Sequence, residues 1–134
     1  MRLDARARLA FLLLIAAQAV HSIEEYCLRL YDVLAPARAV SEALGLDRRI
    51  GFAVTNAALV AFGLWCYFAR IRRDHRAARG YAWFWALLEI ANALAHGALA
   101  MAAGGYFPGL ATAPLLLAAG LHLVWRLQSR PGPA

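Results

Sequence analysis

Four apolar runs, each about 18–23 residues long, constrain this chain more than anything else in it. They cover Leu9–Tyr26, between Arg8 and Arg29; Ile50–Ala69, between Arg49 and Arg70; Tyr81–Ala103; and Phe107–Leu127, interrupted early by Pro108, Gly109 and Pro114. At about 1.5 Å per helical residue each run can cross about 30 Å of hydrocarbon. Backbone in lipid must satisfy its own hydrogen bonds, so the runs are expected to be helices. The fold expected is all-α: one domain over residues 1–134, a membrane four-helix bundle in up-down-up-down order. Composition agrees. Hydrophobic residues make up 63% of the 134 positions and charged residues 16%, against roughly half and a quarter in soluble domains. So short a chain has too little interior to hide that surplus, and lipid covers it most simply.

The connections differ in character. Residues 70–80 form a short basic loop, and residues 104–109 a tight uncharged turn. Residues 29–49 are longer and mixed. Within them Pro36 opens a stretch ending near Gly45, which predicts a short helix. Val40 and Leu44 share its face, so it is expected to lie on the membrane surface.

The net charge of +6 comes from arginine alone. Arg2, Arg6, Arg8, Arg70, Arg72, Arg73, Arg76, Arg79, Arg126 and Arg130 fall on one side of the expected topology. Arg29, Arg38, Arg48 and Arg49 fall on the other, partly offset by Asp32, Glu42 and Asp47. The richer side should be cytoplasmic, which puts both termini there in a multi-pass protein. The arginines form no stripe interleaved with aromatics, so nucleic acid is not an expected partner. Trp65, Tyr67, Tyr81, Trp83, Trp85 and Trp125 read as an interfacial belt on the cytoplasmic side. Cys27 and Cys66 lie near opposite faces, too far apart for a disulfide, and read as small apolar residues. The arginine-rich start followed by Ala17-Gln18-Ala19 also fits a signal peptide. Against this, the polar residues that follow continue one helical face.

Ionisable groups inside a membrane are costly, about 2.5–3.5 kcal/mol each on insertion scales. This chain keeps several. His21, Glu24 and Glu25 share a face at the end of the first run. Glu89, Asn92 and His96 fall within an arc of about 60° on the third. Asn56 stands on the second run, and Thr112 and His122 on the fourth. Counted along the helices, His21, Asn56 and His96 lie roughly 20–22 Å above the cytoplasmic edge and Asn92 roughly 16 Å. Glu89 sits near mid-membrane. Imidazole and carboxylate at helical spacing suit zinc, iron or manganese, and His-x-x-Glu presents the pair that di-metal bundles carry as Glu-x-x-His. Each residue also has a plainer role. Glu24 and Glu25 can be solvated at the boundary, His21 can be a core histidine, Asn56 and Asn92 can join helices, and His122 can pack near Trp125 and Arg126. Cys27 is near enough in sequence to touch a soft metal.

His21-Ser-Ile-Glu-Glu25 is the pattern for which the HXXEE family of small membrane proteins is named. The resemblance extends to Glu89, Asn92 and His96. It also takes in Tyr106-Phe-Pro-Gly109 with Thr112, which is similar to that family's Tyr-x-Pro-Gly-x-x-Thr signature. It covers nearly the whole chain and implies an integral membrane protein of undetermined function, expected in a bacterial inner membrane, with a motif suggestive of an enzyme.

The function expected is a metal-dependent membrane enzyme acting on a lipid or other hydrophobic small molecule. His21, Glu24, Glu25, Glu89 and His96 are the candidate ligands, with Glu24, Glu25 and Glu89 as candidate acid/base groups. Asn56, Asn92, Tyr106 and Thr112 would orient them or bind substrate. Two other classes compete: a proton- or ion-coupled carrier, which with so few helices needs a homodimer, and a non-catalytic helper whose polar cluster specifies packing.

The arginine asymmetry yields a direct test of topology. Reporter fusions at residue 75 and at the C-terminus are expected to read cytoplasmic, and a fusion near residue 42 external; an external C-terminus would contradict the orientation.

Overall fold

The structure, a computed structural model, describes residues 3–129; Arg2 and Arg130 of the charge count lie outside the described residues. The chain enters helix α1 (Ala5–Cys27) through Asp4, whose carboxylate accepts the Ala7 N–H at 2.6 Å, as an N-cap does. The helix runs unbroken through Ala17-Gln18-Ala19. It stops at Leu28 and at Arg29, which is left-handed at φ 59°. Two short helices follow, α2 (Leu30–Val33) and α3 (Ala35–Ala43), the second with Pro36 in its first turn. Helix α4 (Arg48–Trp65) is capped by Asp47 and continues as a π-helical turn over Cys66–Ile71. Helices α5 (Ala78–Ala103) and α6 (Ala113–Gln128) complete an all-helical chain, with no strand among the described residues.

Three helices are long and apolar enough to cross a membrane: α1, α4 with its π turn, and α5. The fourth run departs from expectation. The sequence predicts a span from about Phe107, interrupted early; α6 starts only at Ala113 and has 16 residues, about 24 Å of helix. Pro108 and Pro114 cannot donate to a helical ladder, and Gly109 sits at φ +93°, which non-glycine residues avoid. Residues 107–112 therefore form turns, closed by Leu110 N–H to Phe107 C=O and Ala113 N–H to Gly109 C=O, both at 3.0 Å.

Helix α1 is the central element. It packs against α4, α5 and α6, and half of its apolar window is buried, against 17% for α4. Phe11, Leu14 and Ile15 of α1 meet Trp85 of α5 and Leu116 and Leu123 of α6 in the core. Trp85 is thus not a belt residue. It is fully buried, with its ring 6.4 Å from Phe11 and 5.8 Å from Phe62, because its position on α5 faces α1 rather than lipid. Tyr67 is likewise half-buried, stacked on Phe11. Trp65 and Trp125 are exposed, each under an arginine guanidinium, Arg70 at 5.0 Å and Arg126 at 5.2 Å. That is how aromatic and cationic side chains meet at a membrane boundary.

The arginine-rich segments gather at one end. Arg8 pairs with Asp74 at 2.6 Å, Arg126 pairs with Asp4 at 2.7 Å, and Arg79 donates to the Leu127 carbonyl. At the opposite end α3 lies along α4. Ser41 is buried there, its hydroxyl 3.1 Å from the Ala37 carbonyl and 3.3 Å from that of Arg48. Gly51 makes this contact close: a Cβ at that position would lie 2.8 Å from Ser41 Cα. Val40 and Leu44 remain exposed.

Gly51→Ala should therefore force α3 away from α4 and lower stability by about 1–3 kcal/mol, read as a lower thermal midpoint in detergent. Gly97→Ala, where an added Cβ meets nothing within 4 Å, should be neutral or stabilising.

Candidate functional site

The end of α1, the second half of α5 and the turn before α6 converge on a buried polar group. His21, Glu25 and His96 each offer a ligand atom within 4.8 Å of the others, and all three are buried. Glu25 Oε1 lies 3.0 Å from His96 Nε2 and 3.4 Å from His21 Nε2. The imidazoles meet edge to face, with centroids 4.6 Å apart. One helical turn on α1 supplies His21 and Glu25 on the same face, and α5 brings His96 to them. Such a group could hold a metal. Two imidazoles and a carboxylate form the donor set of catalytic zinc sites and of non-haem iron sites, both of which keep coordination positions open.

Glu24 lies outside that group, although its sequence position suggested a ligand. A helix rotates about 100° per residue, so neighbouring glutamates point in different directions. The Glu24 carboxylate turns to the segment before α6. It accepts the Ala111 N–H at 3.1 Å, the Thr112 N–H at 2.8 Å, the Thr112 hydroxyl and the Tyr106 hydroxyl. Backbone N–H groups outside a regular helix need partners, and Glu24 accepts two of them. Its charge also stands at the positive end of α6. The hydrogen bond to Glu24 raises the pKa of the Tyr106 phenol above its ordinary value, so Tyr106 remains a donor.

The direction of these bonds assigns a tautomer. Thr112 has one hydroxyl proton, and it goes to Glu24, whose carboxylate can only accept. His21 Nδ1, 2.7 Å from the Thr112 oxygen, must then be the donor in that pair. In the neutral imidazole its Nε2 then carries the lone pair; that nitrogen makes no hydrogen bond and faces the Glu25 carboxylate. Two acceptors in a buried site repel each other unless a cation or a proton lies between them. The Thr112 contact is the outer support that metal-binding imidazoles ordinarily have. Gly109 closes the site from the other side: a Cβ there would lie 2.5 Å from His96 Cε1 and 2.9 Å from His21 Cε1.

Glu89 is also buried and lies outside the three-residue group. Asn92 donates to its Oε2 at 3.4 Å, and its Oε1 has no partner. Asn56 is held away from the imidazoles. Its amide donates to the Phe52 carbonyl at 3.1 Å, and its oxygen accepts from Ser22 at 2.7 Å. Cys27 is exposed and belongs to no ligand group, Cys66 is buried and free, and His122 is exposed beside Trp125. Sequence reasoning missed Gln18. It is 1% exposed and donates to Ser22 at 3.0 Å, with its Oε1 unpartnered. A glutamine one turn before the motif, inside an apolar run, was the available signal.

A cavity of about 500 Å³ opens between α4 and α5, with α2 and α3 over its end. Gln18, Glu25, Asn56, Glu89 and Asn92 supply its polar wall; Phe52, Leu59 and Leu88 are among its apolar residues. Glu25 is thus the member of the three-residue group that reaches open space.

Glu24→Ala should strip four donors of their acceptor. The expected loss is on the order of 2–3 kcal/mol of stability, with faster hydrogen exchange at Ala111 and Thr112. Glu25→Ala should leave exchange at those two amides unchanged.

The family model described as a protein of unknown function with HXXEE motif matches residues 12–123. No curated protein and no solved structure matches the chain. The matched span includes every residue of the buried group, the Glu24-bound turn and both asparagines, and the chain belongs to the HXXEE family.

Proposed function

We propose that this protein is a metal-dependent integral membrane enzyme acting on a lipid or other hydrophobic small molecule. It crosses the membrane four times, with the arginine-rich end cytoplasmic. The observation that carries the reading is the buried His21, Glu25 and His96 group, with His21 Nε2 facing the Glu25 carboxylate. A bound divalent cation would act as a Lewis acid on a carbonyl or lower the pKa of water. The chain's own residues have distinct parts. His21, Glu25 and His96 hold the cation; Thr112 fixes His21; and Glu89, oriented by Asn92, is the acid or base exposed to the cavity. Entry through the cavity brings a substrate from the lipid side without passing through water. The fourth crossing rests on α6 together with the turn over residues 107–112, whose exposed amides Glu24 occupies.

A second reading has specific support. A proton between His21 and Glu25 would relieve the same repulsion, and a proton-coupled carrier would use it. Metal content separates the two. Protein purified in detergent should carry close to one equivalent of zinc, iron or manganese, and His96→Ala and Glu25→Gln should each lose it while remaining helical. Glu89→Gln should keep the metal and lose function in the host. Wild-type protein free of metal after purification without chelator, and unable to take up any of the three ions, would transfer the argument to the proton carrier.

A further inference from the structure

The hydrogen bonds around the cavity identify which of its buried oxygens are left without a donor. Phe52 presents a backbone carbonyl, which can only accept, so the group facing it is the Asn56 amide nitrogen. The Asn56 oxygen therefore points at Ser22 and takes its hydroxyl proton. Ser22 in turn accepts from the Gln18 amide nitrogen. The chain of donors ends at Gln18 Oε1, an acceptor with no partner and almost no exposure. Glu89 Oε1 is the second buried oxygen without a partner. Gln18, Glu89 and Glu25 all line the same cavity, and no arginine or histidine does.

We infer that the cavity between α4 and α5 binds a single-chain amphiphile through a hydrogen-bond-donating head, a hydroxyl or an amine, and rejects carboxylate and phosphate heads. The inference names the substrate class of the site proposed above and rests on that reading for the chemistry, though not for binding. A donor head satisfies Gln18 Oε1 and Glu89 Oε1, whereas an anionic head would add a third acceptor to a site already rich in them. The tail lies against Phe52, Leu59 and Leu88, and the volume is within the range that holds one small ligand.

The test uses the full chain in nanodiscs of neutral lipid. A long-chain alcohol carrying a diazirine is cross-linked and the labelled peptides are mapped. Matched alcohol, amine, carboxylate and phosphate competitors of one chain length are then compared at neutral pH. Labelling should concentrate on the α4 and α5 residues of the cavity. The alcohol or the amine should compete at least about tenfold better than either anion, and the better of the two identifies the head. Gln18→Leu should weaken that competition about tenfold without changing metal content. Ala91→Trp, at an exposed lining position, should abolish cavity labelling while helicity and metal content stay at wild type. Equal competition by all four heads, labelling spread evenly over the lipid-facing surface, or undiminished labelling of Ala91→Trp would overturn the inference. Protein that binds the alcohol selectively but never binds metal would refute the metal reading and leave this one standing.

Discussion

The arrangement depends on backbone amides that no helix satisfies. The chain turns over residues 107–112 before α6, and Pro108, Gly109 and Pro114 prevent that segment from closing a regular ladder. A backbone N–H left without an acceptor is unfavourable. The Glu24 carboxylate meets that demand from another helix. With the turn held, Gly109 rests against both imidazoles and Thr112 reaches His21. The polarity of the site therefore follows from an anchoring requirement beside it.

The same bond network gives the site its chemistry. Proton direction runs from His21 to Thr112 to Glu24, which leaves Nε2 of a neutral His21 as an acceptor beside Glu25. A second directional chain runs from Gln18 through Ser22 and Asn56 to a backbone carbonyl and leaves another bare acceptor in the cavity. Both chains are pinned at their far ends by groups that can only accept. Rotating one side chain does not reverse them, so the electron-rich character of the pocket is a property of the fold.

Much of this was legible in the sequence. The lengths of three apolar runs and the helical periods of His21 with Glu25 and of Glu89 with His96 carry over directly, because helix geometry fixes both. The meeting of His21 with His96 followed from counting residues along two runs. The division between Glu24 and Glu25 was not legible, since adjacent residues differ only in azimuth and azimuth has meaning only when the neighbours are known. The late start of α6 was signalled by its prolines, yet mean apolarity across Phe107–Leu127 masked it. Trp85 looked interfacial by position along the helix, whereas its burial is set by which way that position faces. Gln18 carried no motif and could be noticed only as a polar residue where none is needed.

One consequence follows from α1 being a single unbroken helix with Glu24 and Glu25 side by side. The two carboxylates behave as one rigid part whose angular setting is shared, so any rotation of α1 that improves one engagement spoils the other. An inserted or deleted residue anywhere between its core positions Phe11, Leu14 and Ile15 and the motif would turn the whole pair by about 100°, withdrawing the anchor and the ligand together. The helix thus meters its own phase, and the spacing from that core to the glutamates is locked.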